Sequence, residues 1–184
     1  MTGRVAVTGT PGTGKTTAVD LVETERPVVH LNDLVADDDR FSAGRDPERG
    51  SVVADLDALE EAVPDDALVE SHLAHRLDAE LVVVLRCHPD ELARRLRERD
   101  EPHETVAENA DSEALDVVLS EAVERHGADA VHEVDTTDRE PEAVAAEVGA
   151  AIAGEREPRV GTVDFLDARF GDDAAPTGGE DGGR

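Results

Sequence analysis

The sequence predicts a single α/β domain, a parallel β-sheet flanked by helices, and three observations predict it. Short β-branched apolar runs alternate with stretches of helical periodicity. The first run, Val5-Ala6-Val7-Thr8, leads into a glycine-rich loop that opens a helix. The length, 184 residues, suits one such domain.

The elements follow in order. Residues 5–8 read as a buried strand and residues 15–25 as the helix after the loop. Residues 28–31 are a second strand, with Pro27 at its entrance. Residues 36–50 are polar, with Asp37-Asp38-Asp39, Gly44, Pro47 and Gly50, and read as a mobile loop or small subdomain. Apolar positions 52, 53, 56, 59 and 63 form a helical stripe over 51–63, with Ser51 as its cap. After the turn Pro64-Asp65-Asp66, residues 67–69 are a third strand. Residues 81–85, five apolar side chains in a row, are the strongest strand. Residues 89–100 are helical, with Pro89 at the first helical position. Residues 103–126 are one or two helices, 130–134 a fifth strand, and 141–153 an Ala/Val/Glu helix closed by Gly154. From Glu155 periodicity fades, and residues 155–184 are expected to form an acidic, Gly-rich, disordered tail beyond a domain of residues 1–154.

Composition bounds the rest. Hydrophobic residues make up 39% and aromatics 2%, so the core must pack from Val, Leu and Ala. Phe165 and Phe170, near the C-terminus, are not expected in a central core. The net charge is −27, from 45 acids against 18 bases, and the acids are spread along nearly the whole chain. Lys15 is the only lysine; every other base is arginine. An acidic, lysine-poor chain fits a protein adapted to high salt, where the Debye length falls to about 3 Å and like charges repel little. The same charge argues against a large phosphate-backbone footprint, and so against stable DNA binding. One cysteine, Cys87, allows no intrachain disulfide and is expected to pack in the interior. No apolar run approaches the roughly 18 residues of a membrane span, and the N-terminal strand is too short for a signal peptide. A cytoplasmic location is expected.

Gly9, Gly14, Lys15 and Thr16 satisfy the phosphate-loop pattern G-x-x-x-x-G-K-[ST]. Phosphates need several backbone N–H donors aimed at one spot, and glycines let the loop curl and approach. The helix that starts there adds its positive end. Lys15 supplies a charge to the β and γ phosphates, and the Thr16 hydroxyl a ligand for Mg²⁺. The fold expected is therefore a P-loop NTPase. A GTPase of the Ras type needs an Asn-Lys-x-Asp base reader, which a chain without a second lysine lacks. The length disfavours large ATPase machines, which leaves the small kinases.

At this point the chain resembles the adenylate kinase isoenzyme 6 family, small archaeal and nuclear nucleoside monophosphate kinases tied to small-subunit ribosome maturation. The resemblance rests on Gly-Thr-Pro-Gly-Thr-Gly-Lys-Thr-Thr at 9–17, Leu31-Asn32-Asp33-Leu34, Glu70-Ser71-His72, Val-Val-Val-Leu-Arg-Cys at 82–87, Pro89-Asp90-Glu91-Leu92, Arg95-Leu96 with Arg99, and Glu108-Asn109-Ala110 with Glu113. It covers residues 3–153, and the composition points to a haloarchaeal type. It implies a five-stranded parallel sheet of the adenylate kinase kind, a nucleoside-monophosphate-binding segment at 30–53 and a short lid at 98–108. The chain departs from the family where Glu70 stands for an aspartate, Ser71 for an aromatic, and Ala74-His75-Arg76-Leu77 for Phe-Pro-Glu-Arg.

Candidate site residues follow. Glu70 ends a predicted strand beside the loop, in the crevice where open α/β sheets bind ligands. A carboxylate there holds Mg²⁺ or orients a nucleophile. By the resemblance, His72 positions an attacking water, and Gly12, Gly14, Lys15, Thr16 and Thr17 bind ATP. Arg95 and Arg99 share a helix face. Arg99, where the family's lid begins, is expected to clamp the transferring phosphoryl group; Arg94 and Arg97 are expected in solvent. Arg40 and Arg45 both qualify as the acceptor-phosphate ligand, with Asp33 nearby. A zinc site from His72 and His75 is not expected. The reading is a Mg²⁺-dependent kinase passing the γ-phosphoryl group of ATP to AMP or another nucleoside monophosphate, with ATPase activity. An ATP-switched assembly factor binding a small-subunit ribosomal protein, and a small-metabolite kinase, are the alternatives.

Overall fold

The computed structural model describes residues 3–46 and 52–170. Five strands, β1 (Val5–Thr8), β2 (Val28–His30), β5 (Leu68–Glu70), β6 (Leu81–Arg86) and β7 (Val131–Asp135), pair in parallel in the order β2-β5-β1-β6-β7. The hairpin strands β3 (Ser42–Arg45) and β4 (Val52–Ala54) pair antiparallel and apart from this sheet. The helices are α1 (Lys15–Leu21), α2 (Leu31–Asp37), α3 (Leu56–Ala62), α4 (Pro89–Arg97), α5 (His103–Ala114), α6 (Val117–His126), α7 (Pro141–Ile152) and α8 (Leu166–Phe170). Among the described residues no helix is long and apolar enough to cross a membrane.

A strand covered on both faces needs apolar residues on both, and β1 and β6 are buried at every position. Their side chains alternate between two cores. Ala6, Val69, Val82 and Val84 face one that includes Leu31, Phe41, Leu59 and Leu119. Val5, Val7, Leu68, Val83 and Leu85 face another, closed by Val19 of α1 and Val144 and Val148 of α7. Cys87 is fully buried in a third cluster with Leu92, Leu96 and Val106, as expected, and burial pushes its thiol up to about 11.

Several expectations need correction. The helix read over 15–25 ends at Leu21, where Val22 turns extended and its N–H donates to Val19 O. The stripe over 51–63 is not one helix. Val52 and Val53, β-branched, lie in β4, and the helix starts only at Leu56, where the Asp55 carboxylate accepts from the Ala58 N–H at 3.1 Å. Ser51, the expected cap, lies outside the described residues. The helix from Pro89 ends at Arg97, three residues early: Asp100 adopts φ 59° and the Glu101 N–H donates back to Leu96 O at 3.2 Å. The disorder expected from residue 155 does not describe the chain up to 170. The Glu133 N–H donates to Arg159 O at 2.8 Å, Val160 packs on the first core, and Phe165, 7% exposed, is buried over Arg86. Residues 171–184, the rest of that expectation, lie outside the described residues.

Candidate nucleotide site

The phosphate loop joins β1 to α1. A side chain on Gly9 (φ 141°) would run into the Leu85 carbonyl, and one on Gly12 (φ 97°) would press on Leu96 at 3.2 Å. The pattern's demand for small residues is thus met by close approach as well as by backbone angle. Gly14 precedes α1, and no side chain caps that helix, which leaves its first N–H groups for a ligand.

Lys15 is 8% exposed, and its Nζ donates to Thr10 O at 3.1 Å. Burial pulls its amine down to about 8, Glu70 and Glu113 oppose that, and Arg99 adds to it. The loop lysine therefore senses both candidate partners, the strand-end carboxylate and the arginine across the loop. Thr16 and Thr17 stand exposed on the first turn of α1.

Glu70 ends β5, level with Val7 of β1 and His30 of β2, and is 3% exposed. Its Oε2 accepts from His30 Nδ1 at 2.9 Å, and His30 Nε2 is 3.6 Å from Asp20 of α1. His30 was not singled out in the sequence. Parallel pairing of β2 with β5 is the signal that places it, and strand order is invisible to periodicity. Next to Glu70, Ser71 is buried; its hydroxyl donates to Asn32 Oδ1 at 3.2 Å.

His72 follows at the strand end with its ring open to the crevice. Partial desolvation, then the charges of Lys15, His75 and Arg76, hold its imidazole below the ordinary histidine range, so it is neutral near pH 7. His75 has another task. It is 2% exposed, its Nδ1 lies 2.9 Å from Thr8 Oγ1 and its Nε2 lies 3.0 Å from Glu121. Among the described residues no three potential His, Cys, Asp or Glu ligands cluster for a metal.

Two cavities flank this centre. One of 320 Å³ lies between the loop (Gly12, Thr17), Arg95 and Arg99, and the β7–α7 connection at Thr136 and Arg139. Arg95 is held there by Glu91 at 2.9 Å and by Thr136 O at 3.1 Å. Arg99 lies in the turn after α4, exposed, and its guanidinium hydrogen-bonds no described residue. Arg94 is exposed and paired with Glu91 and Glu98, and Arg97 is exposed too, as expected. Thr136 and Arg139 were missed; they follow the last strand without a recognisable motif. The second cavity, 210 Å³, is lined by Leu31, Val35, Val52, Leu59, Ser71 and His72. Of its lining, Leu31, Asn32, Val35, Ala36 and Val52 fall in the segment expected to take the acceptor, and Leu59, Ser71 and His72 lie outside it. Neither Arg40 nor Arg45 lines it. Arg40 is tied to Asp38 at 2.7 Å and stacks over Phe41, Arg45 sits exposed on β3, and Asp33 is exposed in the first turn of α2.

A phosphate loop on the central strand of a five-stranded parallel sheet, with a buried carboxylate one strand away, defines a P-loop nucleotide-binding protein of the kinase-like type. A family described as an AAA domain matches residues 5–116. A protein of Natronomonas pharaonis named "Putative adenylate kinase" is 61% identical over 166 residues, covering 89% of this chain and 98% of that one. Proteins of the same name in Halobacterium salinarum and Methanothermobacter thermautotrophicus are 59% and 43% identical, covering 89% and 88% of this chain and 98% and 96% of theirs. The chain belongs to this AAA-domain family and to the archaeal family these relatives form.

Proposed function

We propose that this chain is a nucleoside monophosphate kinase that moves the γ-phosphoryl group of ATP to AMP or a similar acceptor. One observation carries the reading: Gly14, next to Lys15, lines a cavity with the rest of the phosphate loop and Arg99, and Ser71, next to Glu70, lines another with α2, β4 and His72. A transferase between two nucleotides needs such a pair of sites flanking one transfer point. The names of the relatives support the same class.

The residues take roles by their chemistry. The loop's N–H groups and the start of α1 bind the donor phosphates. Lys15 and Arg99 place positive charge about the transferring group, where it counts most in the transition state. Arg95, braced by Glu91 and Thr136, shapes the donor cavity. Glu70 and Thr16 offer hard oxygen donors suited to Mg²⁺. The fit is supported by Glu70 itself, a buried strand-end carboxylate that His30 holds by Oε2 at 2.9 Å and whose charge Lys15 feels. When bound, Mg²⁺ neutralises charge on the β and γ oxygens. No covalent intermediate is required, since phosphoryl transfer runs on positioning and electrostatics.

Finer readings belong to the same proposal. A neutral His72 at the strand end suits it to hold a water, which would give ATPase activity when the acceptor is missing. The resemblance to the isoenzyme 6 family adds a role in small-subunit ribosome maturation, with a basic ribosomal protein as partner for the acidic surface. The test is purified protein in high salt with ATP, Mg²⁺ and a panel of acceptors. ADP formed in step with AMP consumed supports the kinase. ATP hydrolysis with no phosphorylation of any acceptor overturns it.

A further inference from the structure

We propose that Glu113 is a positioning residue that holds the phosphate loop in its binding shape, acting through Thr10. The proposal rests on the reading of the loop as the donor site. Glu113 lies in the last turn of α5 and is 2% exposed. Its Oε2 accepts from Thr10 Oγ1 at 2.5 Å, and its Oε1 accepts from Arg86 Nε at 2.8 Å and from the Cys87 N–H at 3.0 Å. Both carboxylate oxygens are therefore spent on protein donors, and one spans from a helix to the loop.

Thr10 is the hub on the loop side. It is 1% exposed, and its hydroxyl points inward to Glu113. Its carbonyl accepts from Lys15 Nζ at 3.1 Å, Thr13 Oγ1 at 2.9 Å and the Thr13 N–H at 3.2 Å. One residue thus fixes the height of the loop by its side chain and organises the loop's interior by its backbone. A displaced Thr10 moves Lys15's anchor with it.

An ordinary buried ion pair would not need this geometry. Arg86 already has Glu133 on Nη1 at 2.8 Å, and on Nη2 both Asp116 and the Glu113 carbonyl, the latter at 3.0 Å. Arg86 holds Glu113 firmly enough that its second oxygen is a fixed acceptor, and a fixed acceptor is what positions a loop. The turn carrying Arg99 leads directly into α5, so the helix that ends at Glu113 begins at the rim of the donor cavity.

The experiment compares Thr10→Val, Thr10→Ser, Glu113→Gln and the double variant Thr10→Val/Glu113→Gln in the full chain, in high salt. ATP affinity is read by calorimetry and folding by the thermal midpoint. Thr10→Val is expected to weaken ATP binding about tenfold, the scale of one charge-assisted hydrogen bond. Its midpoint is expected to stay near that of the unaltered protein, because the Arg86 cluster is intact. Thr10→Ser, which keeps the hydroxyl, is expected to bind normally. The double variant is expected to bind no more weakly than Glu113→Gln alone. Unchanged affinity in Thr10→Val, or losses that multiply in the double variant, overturn the proposal. The Thr10 pair decides even where Glu113→Gln fails to fold. ATP binding without AMP phosphorylation would sink the kinase reading and leave this comparison standing.

Discussion

His30 Nδ1 lies 2.9 Å from Glu70 Oε2, across neighbouring parallel strands at the same register. A carboxylate only accepts, so the imidazole donates from Nδ1. That donor fixes one oxygen of Glu70 toward β2 and so fixes the plane of the carboxylate. Asp20, 3.6 Å from His30 Nε2, backs the ring from the phosphate-loop helix.

His30→Leu is therefore expected to lower kcat about tenfold to a hundredfold, the usual scale for a residue behind a metal-facing carboxylate. His30→Asn is expected to recover most of the loss, because its amide nitrogen sits near the Nδ1 position. Steady-state rates across a Mg²⁺ titration check this. Equal damage from Leu and Asn would mean that the hydrogen bond is incidental.

Arg99 and Arg97 make a matched pair of exposed arginines two residues apart. Only Arg99 borders the donor cavity and is sensed by Lys15. Arg99→Ala is expected to reduce kcat about a hundredfold with a much smaller change in ATP affinity, as for charge felt mainly in the transition state. Arg97→Ala is expected to leave both near normal. Rates and calorimetric affinities for the two variants decide; similar kcat values would remove Arg99 from its role.

Burial holds the Lys15 amine at about 8, against 10.5 for an unperturbed lysine. Between those values the unfolded chain binds the proton and the folded chain does not, so folding gains as pH rises through that window. Below it the buried cation is a full cost. Lys15→Met is expected to abolish ATP binding and yet to stabilise the free protein at about pH 7, by on the order of 2 kcal/mol. The advantage should shrink as pH climbs from about 8 toward 10.5. Denaturant titrations at several pH values test it, and a less stable methionine variant at neutral pH would contradict it.

With a net charge of −27, the fold carries strong self-repulsion in dilute buffer. Raising KCl from about 0.1 M to about 2 M cuts the Debye length from roughly 10 Å to roughly 2 Å. The thermal midpoint is expected to rise by on the order of 10 °C, more than a few ion pairs would account for. A flat or falling midpoint would show that the acids serve a partner instead of a salty solvent.

What the sequence made legible was what local rules govern. Val5–Thr8 and Leu81–Arg86 read as strands because burial on both faces leaves no polar interruption until the edge. The loop was readable because glycine, lysine and hydroxyl each have a chemical reason for their place. Val52–Ala54 was misread since apolar residues at 52, 53 and 56 satisfy a helical stripe as well as a strand followed by a capped helix; pairing with β3 decided between them. His30, Thr136 and Glu113 carry contacts made across strands and helices far apart in the chain, so no spacing announced their roles. Phe165 joins none of the three core clusters, as read, but its burial against Arg86 was hidden for the same reason. Its partners, Arg86 and His88, lie almost eighty residues earlier.

The solitary lysine has one more consequence. Amine-selective reagents act on the unprotonated form, and Lys15, held at about 8, presents far more of it near neutrality than an ordinary lysine does. With no other lysine in the chain, only the N-terminal amine competes. The extent to which a small amine reagent modifies this one side chain, 8% exposed, should therefore fall when a ligand covers the loop, so its protection follows ligand arrival in the unaltered protein.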